Sequence, residues 1–158
     1  LRVHAAPIDF AYKTVKDFKT LETFKSVEAF EASFADYVQE CLDNTGGGSG
    51  GVRCVALEYE LWDRELNIYY ERLLKKLKPK EKALLKESQR QWIAVRDGTI
   101  AVNSALLDRR YDTSGTMYQL MRAGDAARII VPMVKQRALM LKDMYGLSLE
   151  QPVSKEEP

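Results

Sequence analysis

Apolar residues recur every three or four positions along most of this chain, and the interruptions divide it into helices rather than strands. From Ser26, an N-cap candidate, Val27, Phe30, Phe34, Val38 and Cys41 mark one face of a first long helix that ends before Gly46. The segment 46–51, Gly-Gly-Gly-Ser-Gly-Gly, reads as a flexible connection. The strongest stripe follows: Val55, Tyr59, Trp62, Leu66, Tyr69, Leu73 and Leu77 alternate gaps of three and four and face one partner helix. Pro79 opens a third helix, where its missing N–H costs nothing. The stripe there is Leu85, Ser88, Trp92, Val95, Thr99, Val102 and Leu106, and these two helices are expected to pack antiparallel. After the turn formers of 108–115, a fourth helix shows Leu120, Gly124, Ala127, Val131, Val134, Ala138, Leu141 and Tyr145 on one side. Pro132 is expected to kink or restart it near Ile130, and Gly146 to end it. Residues 1–25, with Phe10, Phe18 and Phe24, are too irregular for one helix and read as partly helical packing material, and the polar tail 151–158 reads as frayed. The expected fold is an all-α antiparallel bundle of about four helices, the last kinked, with one disulfide.

Composition narrows the function. At 158 residues and 46% hydrophobic, the chain has enough apolar surface for one continuous core. Its net charge of +1 lacks the basic excess that phosphate-backbone binding draws on, so no nucleic-acid partner is expected. The charge is unevenly placed: residues 1–50 hold five basic and eight acidic side chains, and the remainder hold 19 and 15. That split lets an acidic amino-terminal segment lie over a basic helical body. No apolar run reaches 18 residues, so no membrane-spanning helix is expected. A first residue of Leu rather than Met fits a mature chain whose signal peptide was removed or left out.

Candidate chemistry is sparse. The one histidine, His4, supports neither a His-based general base nor a multi-His metal site. No serine has the partners of a catalytic triad, and the glycine run lacks the Lys-Ser or Lys-Thr of a phosphate loop. Glu58, Glu60, Asp63 and Glu65 fall close together, but a solvated helix face is the better reading than an acid/base pair. No catalytic residue, metal or cofactor is expected, and the chain reads as non-enzymatic. Cys41 and Cys54 flank the glycine run, which brings them easily to bonding distance, and closing such a loop is worth about 3 kcal/mol. Two free thiols or half a metal site are the alternatives; the disulfide is preferred and implies an oxidising compartment.

If the second and third helices pair about a turn at Pro79 and Lys80, Asp63 stands level with Arg96, Asn67 with Trp92 and Tyr70 with Gln89. This register predicts an Asp63 to Arg96 ion pair and a Tyr70 to Gln89 contact, joined by Asn67 near the Trp92 indole. The ladder acts as a structural clasp that fixes alignment or, in the alternative, as a recognition surface.

The run Asp63-x-Glu65-Leu66-Asn67-x-x-Tyr70, followed by Leu77, Leu85, Gln89-Arg90-x-Trp92 and Arg96-Asp97, resembles the lysozyme inhibitor LprI-like family, also called DUF1311. Cys41 and Cys54 resemble the family's spaced cysteine pair, and Arg137 with Leu141 its carboxy-terminal Arg-x-x-x-Leu helix. Many relatives place a further cysteine just after the Arg-Asp pair, where this chain has Gly98-Thr99-Ile100. The resemblance implies a secreted or periplasmic helical protein without established enzymatic activity, one branch of which is associated with lysozyme inhibition. It divides the chain into an amino-terminal extension and first helix (1–40), an LprI-like domain (41–146) and a flexible tail (147–158), packed as one unit. A protein partner is expected, either a lysozyme-type muramidase or an envelope protein. The alternative is a structural or adaptor module of the envelope that presents Phe10, Tyr12, Phe18 and Phe24 as an exposed patch, although a core position suits those aromatics better.

Overall fold

The computed structural model describes residues 10–46 and 48–154; His4 lies outside them. Among the described residues four α-helices make the fold: α1 (Val27–Asn44), α2 (Ser49–Lys76), α3 (Pro79–Arg110) and α4 (Thr116–Ser148). Two single 3-10 turns, Val15–Asp17 and Leu21–Thr23, precede them, and among the described residues there is no strand. The chain is an all-α bundle.

Local chemistry sets the helix ends. The Ser26 hydroxyl accepts the Ala29 N–H at 3.1 Å and starts α1, while Glu81 reaches back to accept the Lys78 N–H at 2.7 Å and starts α3 at Pro79. The glycine run is not a pure linker, because α2 begins inside it at Ser49. A side chain at Gly51 would place its Cβ 3.0 Å from Leu120 and 3.2 Å from Leu42, so this glycine lets three helices converge. Nor does α4 restart at Pro132 or end at Gly146; it continues unbroken to Ser148. Pro132 and Arg128, whose carbonyl loses its donor, are both exposed, so water can serve that carbonyl.

Helix α2 is central, and its main partner is α4 rather than α3, which corrects the expected pairing. The two run parallel: Gly51 meets Leu120, Lys135 lies over the Trp62 ring, and the Tyr69 and Tyr145 rings are 6.2 Å apart. Helix α1 returns antiparallel along another side of α2, with the Phe30 and Trp62 rings at 5.2 Å and Cys41 bonded to Cys54. Two sides of α2 are therefore buried, which is why Leu57, Leu61 and Glu65 join the core beside Trp62, Leu66, Tyr69 and Leu73. Residues 10–26 run along α2 as a strap: the Tyr12 hydroxyl donates to the Gly50 carbonyl, and Arg72 grips Glu22 with two bonds of 2.7 and 2.9 Å. Phe10, Tyr12, Phe18 and Phe24 pack against the core, so they form no exposed patch.

Helix α3 is rotated relative to its apolar stripe. Leu85 and Leu107 are buried and Gln89, Trp92, Arg96 and Asn103 are half-buried, whereas Val95, Val102 and Leu106 point to solvent. Polar bonds to α4 hold this orientation: Arg122 donates to Ser104 at 3.1 Å and pairs with Asp108 at 2.8 Å, and Arg137 reaches Ser88 and Gln89. Among the described residues no helix is long and apolar enough to cross a membrane.

Candidate functional site

The motif residues separate into three places. The first lies between α3 and α4 around Arg137, which is only 6% exposed. Its Nε donates to the Gln89 carbonyl oxygen at 3.0 Å and its Nη2 to the Ser88 hydroxyl at 3.1 Å, while the guanidinium sits 6.0 Å from the Trp92 ring centre. Arg96 lies over the same ring, at 5.5 Å. Burial lowers the pKa of Arg137 from its ordinary value, since its hydrogen-bond partners are neutral.

The second place joins α2 to the strap. Glu65 is 1% exposed and accepts the Leu21 N–H at 3.2 Å and an Arg64 N–H at 3.1 Å. Arg64 in turn donates to the carbonyls of Val15, Phe18 and Lys19. Burial pushes the Glu65 carboxyl above the usual carboxylate range, against the opposing pull of those donors.

The third place is the outer flank of α2 and α3. Arg96 does not pair with Asp63; it turns to its chain neighbour Asp97 at 2.9 Å, and among the described residues no ion pair joins Asp63 to Arg96. Both approach Tyr59, whose hydroxyl is held above its usual pKa by burial, with Asp63 adding to the rise and Arg96 opposing it. Asn67 folds back to donate to the Asp63 carbonyl at 2.9 Å rather than bridging to Trp92. Gln89 is taken by Arg137, and no hydrogen bond among the described residues links it to Tyr70, which packs half-buried against the core. The predicted rungs fail for one reason: α4 occupies the place beside α2 that the register gave to α3. Arg90 stays on the surface with Glu87 at 2.6 Å, and that contact holds the Glu87 carboxyl down to about 2.

The carboxylates of α2 lie in different environments. Glu65 is sealed under the strap and Glu60 is exposed, while Glu58 is half-buried near Glu31 and Lys135, its pKa raised by burial and by Glu31. Sequence reasoning missed Arg64 and gave Ser88 only a place in the α3 stripe, because the strap carbonyls that Arg64 meets and the Arg137 that Ser88 meets lie 45 or more residues away on elements whose placement no periodicity reveals. It did register the acidity of residues 1–50, most of which lies on α1. That helix carries Glu28, Glu31, Asp36, Glu40 and Asp43 with no basic residue, and all but the half-buried Glu31 are exposed.

Comparison with curated proteins and with solved structures gives no match. The family model of the lysozyme inhibitor LprI matches residues 41–138, which run from the disulfide through the Arg137 seam. With more than half its length matched, and with the motif residues of α2 and α3 and Arg137 of α4 inside the matched span, this chain belongs to the lysozyme inhibitor LprI family.

Proposed function

We propose that this protein is a non-enzymatic binding protein, periplasmic or secreted, that inhibits a lysozyme-type muramidase. The observation that carries this reading is the family match over residues 41–138. The acidic face of α1 supports it: Asp36, Glu40 and Asp43 lie three and four residues apart on one outward side, suited to a strongly basic lysozyme. The disulfide agrees with an oxidising compartment. Glu65, Gln89, Trp92 and Arg137 act in this reading as clasps that hold the strap and α3 in place, and their burial favours that over contact with a partner. The adaptor alternative loses the aromatic patch on which it rested, since those rings pack against the core.

The test is turnover of a cell-wall substrate by a basic lysozyme with and without equimolar protein. Slowed lysis is expected; unchanged lysis at micromolar protein rejects the proposal.

A further inference from the structure

We propose that the outward face of α3 pairs antiparallel with α3 of a second copy of this chain, about a two-fold axis at Val95. Leu84, Val95, Val102 and Leu106 are 71, 60, 63 and 53% exposed and lie along one line of the helix. With Ser88, Gln91 and Thr99 between them, the positions 84, 88, 91, 95, 99, 102 and 106 are separated by 4, 3, 4, 4, 3 and 4 residues. That spacing reads the same from either end. A two-fold antiparallel pair requires this symmetry, because residue i must face j wherever j faces i. Leu84 then meets Leu106 of the second copy, Gln91 meets Thr99 and Val95 meets its own counterpart, while Ser88, whose hydroxyl Arg137 holds at the α4 edge of the stripe, stands level with Val102.

Three further observations favour a second copy over another partner. Gly98 borders the stripe in mid-helix, where glycine costs about 1 kcal/mol relative to alanine, and a Cβ there would meet nothing within 4 Å in its own chain. The close approach of another helix gives that glycine a use. In the same alignment Glu81 stands level with Arg109 of the second copy, so opposite charges close both ends of the seam. A net charge of +1 leaves two copies almost without mutual repulsion. The seam from Leu84 to Leu106 spans about 33 Å, roughly three heptads. Beside it Val95, Gly98, Val102 and Leu106 line a groove closed on the α4 side by Ile129, open to the second copy's apolar side chains. The acidic face of α1 takes no part in this seam.

Sedimentation of the full, oxidised chain across micromolar concentrations tests the pairing. The expected mass is twice that of one chain, falling to that of one chain in Val95→Glu/Leu106→Glu. Both side chains are exposed, so the circular dichroism of this variant should match wild type. Register is read by cross-linking: Val95→Cys alone should form a linked dimer, and Leu84→Cys should link to Leu106→Cys in a mixture but not to itself. A wild-type monomer at every concentration overturns the proposal, as does self-linking of Leu84→Cys. Loss of lysozyme binding by Val95→Glu/Leu106→Glu, with wild type monomeric, would assign the face to that partner instead.

Discussion

At Arg137 burial and hydrogen bonding oppose each other. The guanidinium loses water, and Ser88, Gln89 and the Trp92 face replace it without a counter-charge. Truncation removes the stem that fills the α3 to α4 seam as well as the polar bonds. Arg137→Ala should therefore cost about 3 kcal/mol, read from the urea midpoint, and a loss under about 1 kcal/mol would show that the seam does not depend on this side chain. Glu65 offers a pH test. Burial raises its folded-state pKa above the unfolded value, so the protonated form favours the fold. That contribution is complete below the ordinary glutamate range and is lost as pH rises through the elevated value. Glu65→Gln stays neutral and still accepts from Leu21, so its stability relative to wild type should grow from acid toward neutral pH. Urea midpoints at several pH values check this, with Glu58→Gln as a control for the other raised carboxyl of α2.

Among the helices, the disulfide and the rotation of α3 have different origins. Cys41 and Cys54 are 13 positions apart with their Cα atoms at 5.8 Å, and the bond ties the end of α1 to the start of α2. Cys41→Ser/Cys54→Ser should lose about 3 kcal/mol in urea unfolding while keeping its helices at neutral pH. A double variant as stable as wild type would show that the packing around Gly51 closes this end unaided. Helix α3 shows what an apolar stripe cannot tell. Its pattern marks Val95, Val102 and Leu106 as a buried face, and they do form one face, but α4 takes the side that bears Gln89, Trp92 and Arg96. Periodicity identifies a face and leaves open whether the chain itself or another molecule covers it. In α2 the single stripe understates burial, since partners on two sides also enclose Leu57, Leu61 and Glu65.

The whole molecule separates two charge environments. Acidic side chains of the strap and α1 meet basic ones of the body, as Glu22 meets Arg72 and Glu31 meets Lys135, and the remaining acid of α1 faces solvent. If that surface steers a basic lysozyme, Asp36→Lys/Glu40→Lys/Asp43→Lys should slow association and weaken its dependence on salt, leaving the fold intact because all three side chains are exposed. Stopped-flow binding at two ionic strengths measures this. An unchanged association rate would move the contact to another face.

The sequence by itself determined the number and approximate limits of the helices, the cysteine pairing and the family motif, because periodic burial, capping residues and a short glycine-containing loop are local properties. It determined neither the parallel pairing of α2 with α4 nor the caging of Arg64 by the strap, nor which side of α3 faces inward. Those depend on which surfaces compete for the flanks of α2, and such a competition among distant segments is resolved only when all of them are packed at once.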